Sequence, residues 1–236
     1  FFFILSGFIL TYRYHQGFNV LTAPILKRFY GARFARLWPV HLLTLGFAFF
    51  LSPNPKHQNR WDSAILNAFL VQSWAPSELY SQSDNSVAWS LSIEVFFYLC
   101  APFLLWGFAR HRATPGLLIA MTVPIWLLAA TQSIYLSKTP SQMATYLVAV
   151  CPLVRLGDFL IGAMLALAYV RGGHTPQAAT TQRECVEWTL VEGIALAILA
   201  SLLYGAHAVP LYLRLNGYYT ISLAILIMVF ARQNGY

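Results

Sequence analysis

Charge is what this sequence has least of. Only 10% of its 236 residues are Asp, Glu, Lys or Arg, 23 side chains in all, while 58% are hydrophobic. A soluble domain carries about 25% charged residues, so this chain could not clothe its own surface for water. An ordinary soluble enzyme, a disordered chain and a nucleic-acid-binding domain are excluded on that ground. Cysteine is scarce too: Cys100, Cys151 and Cys185 are scattered, with neither a metal-ligand spacing nor a disulfide framework. There is no phosphate-binding Gly-Lys-Ser/Thr loop, no dinucleotide glycine motif, no paired-histidine metal helix and no serine nucleophile elbow. Nothing points to ATP hydrolysis, redox chemistry, a metal site or a bound cofactor.

Long apolar runs are abundant. With a mean hydropathy of +0.58 and about 20 residues per span, there is room for roughly seven helices. The runs are Phe1–Tyr12, Leu37–Leu51, Trp89–Phe108, Gly116–Leu136, Met143–Val170, Trp188–His207 and Leu215–Ala231. Each is continuous, without the alternation of a membrane barrel, and hydrocarbon obliges every segment to satisfy its own backbone. The expectation is an all-α polytopic transmembrane helix bundle of about seven membrane segments, forming one domain over 1–236. Its first run starts at Phe1 without a charged leader and its end stops just past another run, so the chain reads as the middle of a longer protein.

Alternate connections collect ten basic residues on one side and four on the other, with Arg155 inside a span. The positive-inside rule then puts the segment between Tyr12 and Arg36 in the cytoplasm and residues 52–88 outside. The 52–88 connection contains the short apolar run Ala64–Val71, expected to be an interfacial or re-entrant helix anchored by Trp61 and Trp74. Residues 171–187 read as a plain cytoplasmic linker.

Ionisable residues within spans are the best pointers to a site, because hydrocarbon penalises them. Glu94 lies about a turn and a half into its helix, and Ser90, Glu94 and Tyr98, four apart, share one face. Arg155 and Asp158, three apart, can pair on one face, as a structural ion pair or a functional one. Pro152 precedes them and can kink the helix, while Gly157 and Gly162 allow close helix contact. Arg33 and Arg36 share a face on the cytoplasmic approach. Their forked guanidinium groups suit a phosphate-bearing ligand, or they anchor the helix among lipid headgroups. His41 follows at the membrane edge, a weak catalytic candidate beside the simpler reading of a satisfied neutral histidine.

Four stretches together resemble the acyltransferase-3 family of integral membrane acyltransferases. They are Phe2-Phe3-Ile4-Leu5-Ser6-Gly7-Phe8-Ile9; the Arg33-x-x-Arg36 segment followed by Pro39; Trp89-Ser90-Leu91-Ser92-Ile93-Glu94 with Phe97-Tyr98; and Arg155-Leu156-Gly157-Asp158-Phe159-Leu160-Ile161-Gly162. Asp158 stands where the family usually has Glu, and Val95 where many members have a second Glu. The resemblance implies a multi-pass protein of a bacterial inner membrane. It implies transfer of an acyl group, commonly acetyl, from cytoplasmic acyl-CoA to a hydroxyl of a cell-surface or exported carbohydrate or glycolipid. Membrane lipids would be its other partners. It implies donor binding at Arg33 and Arg36 and a supporting catalytic role for Glu94. Ser90, Tyr98, Arg155, Asp158 and His41 are further candidates. The family's catalytic histidine belongs to a helix upstream of Phe1, so these residues alone are expected to be inactive. The competing reading is a transporter or a lipid- or ion-binding protein, with Glu94, Arg155 and Asp158 along an ion path.

Overall fold

The computed structural model describes residues 1–51, 60–81, 85–111, 113–173 and 182–232. Most of those residues are helical, with no strand among them. The helices are α1 (Phe2–Tyr14), α2 (Ala23–Leu51), α3 (Arg60–Ala68), α4 (Glu78–Ser81), α5 (Trp89–Arg110), α6 (Pro115–Ser137), α7 (Gln142–Ala149), α8 (Pro152–Arg171), α9 (Gln182–Gly205), α10 (Leu211–Leu215) and α11 (Thr220–Phe230). Six helical stretches are long and apolar enough to cross a bilayer, and α1 is a shorter apolar helix. The all-α, polytopic architecture is therefore as expected.

Several boundaries differ, each for a local reason. The second segment starts at Ala23 rather than Leu37, so Lys27, Arg28, Arg33 and Arg36 are helical and not in a connection. Their charges hide the helix from a hydropathy reading while leaving its propensity intact. The expected single span over Met143–Val170 is two helices. Pro152 has no N–H and disfavours helical backbone in the residue before it. Accordingly α7 closes on Tyr146, whose carbonyl accepts from the N–H of both Val150 and Cys151 at 2.9 Å. The expected 64–71 helix runs instead over Arg60–Ala68. Leu70 N–H bonds Asn67 O at 2.8 Å and Val71 N–H bonds Leu66 O at 2.9 Å, a Schellman ending. Leu70 takes the left-handed position (φ 55°) where glycine is usual, and its side chain is buried. α9 begins at Gln182, so the last part of the expected 171–187 linker is helical, with Arg183 and Glu187 paired at 3.0 Å one turn apart. Residues 174–181 of that linker, and 52–59 and 82–84 of the 52–88 connection, lie outside the described residues.

Helix starts elsewhere follow capping rules. The Thr114 hydroxyl accepts from Leu117 N–H at 3.3 Å with Pro115 opening α6, and Ser141 does the same for Ala144 at 3.0 Å in α7.

The described residues form two compact units: residues 1–15, 112–139 and 157–236, and residues 16–111 with 140–156. In the first unit Ile4 and Phe8 of α1 pack on Ile161, Leu165 and Tyr169 of α8 and Ile227 of α11. The contact is close because it is made by glycine. A Cβ on Gly7 would lie 2.1 Å from Phe159 O, and one on Gly162 1.9 Å from Ile4 O. Two of the four stretches read from the sequence are thus the two sides of one helix crossing, as small-residue packing in lipid requires. In the second unit α2 and α5 run antiparallel. The Tyr30 hydroxyl donates to Leu99 O at 3.2 Å, and the Asn85 amide reaches Thr44 Oγ1 at 3.3 Å near the other end.

Candidate functional site

The site candidates that come together do so in the second unit, where α2 faces α5. Ile93 and Phe97, each next in sequence to a polar candidate on α5, are fully buried. Glu94 and Tyr98 are both more than nine-tenths buried, and the Tyr98 hydroxyl donates to Glu94 Oε1. The i, i+4 face read from the sequence is therefore real for this pair. Ser90 does not join it: its hydroxyl donates backward to Val87 O at 3.2 Å.

Arg33 enters from α2. Its guanidinium carbon stands 5.1 Å from the centre of the Tyr98 ring and 5.5 Å from that of Phe29. Phe29 is buried and meets Tyr98 edge to face, ring centres 6.4 Å apart, with Phe18 behind it at 5.3 Å. This aromatic cradle holds the faces of a delocalised cation, a contact open to arginine and not matched by lysine. Arg36, exposed on the same helix, is within electrostatic reach of Tyr98. The cluster thus orders a cation, a phenol and a carboxylate in sequence: Arg33 over Tyr98, and Tyr98 bonded to Glu94. Arg33, read from the sequence as part of the cytoplasmic approach, thus stands beside the hydrogen-bond partner of Glu94. The Tyr30 hydroxyl joins α2 to Leu99 O of the antiparallel α5, and Arg33 and Tyr98 lie three residues and one residue from those two positions, so the pairing of the helices brings them close to one level.

His41 is buried, and its Nε2–H donates to Asn67 O at 2.8 Å. Beside it the Trp38 indole donates to Ala68 O at 3.2 Å. Both carbonyls belong to the last turn of α3, where a helix leaves its C=O groups without internal partners. His41 and Trp38 thus cap α3, while the other ring nitrogen of His41, Nδ1, is buried with no hydrogen-bond partner among the described residues.

The next turn of chain is bound to α5. Gln72 and Ser73 are fully buried. The Gln72 amide donates to Ala88 O at 3.0 Å, the Ser73 hydroxyl to Trp89 O at 2.7 Å, and Ser73 N–H to Ser92 Oγ at 3.3 Å. The Tyr146 hydroxyl of α7 closes over this segment, donating to Ser73 O at 3.2 Å. Sequence reading passed over Gln72, Ser73 and Tyr146, because uncharged polar residues in an apolar connection carry no periodic signal. The one available clue was Ser92, a second hydroxyl within the first turn of an otherwise apolar helix.

Arg155 is buried on α8 and its Nε donates to Ala149 O at 2.9 Å, closing the broken end of α7. A cation there also complements the negative end of the helix dipole. Asp158, half-buried, lies one turn further along α8. The division between the two units falls between them, after Leu156. The three cysteines are free thiols. Among the described residues no three His, Cys, Asp or Glu side chains gather to hold a metal ion.

Comparison with known proteins gives a consistent picture. The sequence pattern of the acyltransferase-3 family, described as an acyltransferase domain, matches residues 1–232. The acyltransferase MdmB of Streptomyces mycarofaciens is 29% identical over 182 residues, covering 70% of this chain and 44% of that protein. The chain thus spans less than half the length of that relative. No solved structure matches. With the pattern covering nearly every residue, and the glycine crossing and the buried Glu94–Tyr98 pair built from the stretches that suggested it, the chain belongs to the acyltransferase-3 family.

Proposed function

We propose that the full protein is a multi-pass O-acyltransferase of a bacterial inner membrane. It moves an acyl group, acetyl in the simplest case, from cytoplasmic acyl-CoA to a hydroxyl of an exported or cell-surface carbohydrate. The observation that carries this reading is the Arg33–Tyr98–Glu94 cluster, a fixed cation beside a buried, hydrogen-bonded carboxylate at one level of two membrane helices. Arg33, steadied by its aromatic cradle, and Arg36 bind phosphates of the coenzyme through charge-assisted hydrogen bonds. In the transfer, the acceptor oxygen attacks the thioester carbonyl, the new C–O bond forms, and the C–S bond breaks. The hydroxyl proton ends on the coenzyme sulfur by way of a general base. That base is the histidine which members of the family carry in a helix upstream of these residues. Glu94, oriented by Tyr98, supplies the negative charge that steadies the base when it holds the proton.

The test is glycan mass spectrometry of a strain with and without the full-length gene. Acetylated sugar present in the first and missing in the second is the expected result. It should return on complementation with the wild-type gene and not with Glu94→Gln. Identical glycans in all strains, with the protein present in the membrane, would overturn the acceptor class.

A further inference from the structure

Tyr98 touches both halves of the candidate site, and it does so with different atoms. Its hydroxyl donates to Glu94 Oε1, four residues back on the same helix. Its ring carries the Arg33 guanidinium, whose carbon stands 5.1 Å from the ring centre. A phenol has a single O–H, so the proton given to Glu94 is not free for a second acceptor. The ring attracts a cation through its π face whether or not the hydroxyl is engaged. The two contacts are therefore chemically separable, although one side chain makes both.

The ring that makes them is firmly held. Tyr98 is 5% exposed, with the fully buried Phe97 beside it in sequence. Phe29 meets it at 87° with ring centres 6.4 Å apart, and buried Phe18 stands behind Phe29. The backbone next to it is tied to α2, where the Tyr30 hydroxyl donates to Leu99 O at 3.2 Å. Arginine and glutamate are longer and more flexible, and each loses much rotamer freedom when it is fixed. A rigid ring bonded to one and packed against the other restrains both.

We propose that Tyr98 is a positioning residue with two separate duties: its ring fixes the Arg33 guanidinium for the donor, and its hydroxyl fixes the Glu94 carboxylate for the chemical step. This assignment rests on the transfer reading above and goes beyond it, placing donor affinity and chemical rate on different atoms of one side chain. Phenylalanine supplies only the first duty and leucine neither. A residue that merely filled space between α2 and α5 would need neither the π face nor the O–H.

The experiment uses the full-length protein. Donor affinity is the Kd for acetyl-CoA, titrated in detergent. Rate is the release of coenzyme A thiol from saturating acetyl-CoA, per folded protein, in membrane vesicles of the strain that carries the gene. Vesicles of the gene-deleted strain are the blank. Tyr98→Phe should leave the Kd within about twofold of wild type and lower the rate roughly tenfold, the scale of one lost hydrogen bond to a charged group. Tyr98→Leu should lower the rate as much and also weaken acetyl-CoA binding several-fold, the scale of a lost cation–π contact. In a Glu94→Gln background, Tyr98→Phe should cost little further rate, because the hydroxyl acts through that carboxylate. Phe29→Leu removes the other ring of the cradle and keeps the hydroxyl. It should weaken binding more than it lowers the saturated rate, and it decides the ring's duty if Tyr98→Leu fails to fold. Rate losses that simply multiply in the double variant would overturn the assignment while leaving transfer itself standing. So would an unchanged rate in Tyr98→Phe, or donor binding as poor in Tyr98→Phe as in Tyr98→Leu. Wild-type vesicles that release no more thiol than the blank would overturn the transfer reading, and the assignment with it.

Discussion

The two compact units bury different chemistry. In the unit formed by α1, α6, most of α8 and α9 to α11, the polar residues that become buried are Thr11, Ser133, Asn216, Thr220 and Ser222. In the unit formed by α2 to α5, α7 and the start of α8, the buried set includes His41, Glu94 and Arg155. All three buried His, Glu or Arg side chains among the described residues therefore fall in one unit. In hydrocarbon this asymmetry is informative, since a buried ionisable group is retained only with a partner or a task. His41 and Arg155 have visible structural partners, the carbonyls of Asn67 and Ala149. Glu94 sits in the one cluster that also holds a cation in an aromatic cradle. The first unit is built by close backbone approach, the second by polar contacts, and substitutions should fail differently in each.

The largest effect is expected at the glycine crossing. Gly162→Ala places a methyl group against the α1 backbone, which has no flexible end to yield. It should destabilise the full-length protein by about 3 kcal/mol, read as an early thermal unfolding transition in detergent. The surviving folded molecules should transfer at the normal rate. A near-normal melting temperature would mean that α1 and α8 can separate without cost, and the contrast between the units would fall.

Glu94→Gln should behave in the opposite way. The amide is nearly isosteric and can still accept from Tyr98, so the melting temperature should move little while transfer falls by roughly 10²-fold. Early melting with a normal rate per folded molecule would make Glu94 a packing charge like Arg155.

His41→Phe sharpens the division inside the second unit. It removes the donor to Asn67 O and should cost about 1–3 kcal/mol of stability. The rate per folded molecule should be unchanged. A large loss of rate at full stability would move His41 from the cap of α3 to the chemistry.

The smallest effect is expected at Arg33. Lysine keeps the charge and loses the planar stacking on Tyr98 and Phe29, worth about 1 kcal/mol at a partly exposed site. The KM for acyl-CoA should rise several-fold at little change in kcat. An unchanged KM would leave Arg33 as an anchor of α2.

The sequence made some of this legible and hid the rest for physical reasons. Glu94 and Tyr98 were readable as partners because an i, i+4 pair on one helix needs no tertiary information. The Gly162 contact was readable because small residues in an apolar helix have few other uses. The end of α3 was not, because Leu70 adopts a backbone conformation that its residue type argues against. The start of α2 was hidden by its charges. The meeting of Arg33 with Tyr98 was hidden too. It depends on how far each helix extends and on their antiparallel pairing, neither of which a linear reading of loops and spans supplies.

The interruption between α7 and α8 has a consequence for motion. A helix broken within an apolar stretch leaves carbonyls that lipid cannot hydrate, and such a joint would ordinarily be slack. Here the Arg155 side chain reaches from α8 to Ala149 O, so the elbow is braced by a residue on its far side. The turn between α7 and the start of α8 is thus tied by a side chain from its own far side, as a strut ties a bracket. Amide hydrogen exchange at Val150 and Cys151 should report that brace directly: slow with arginine in place, and fast once the strut is shortened.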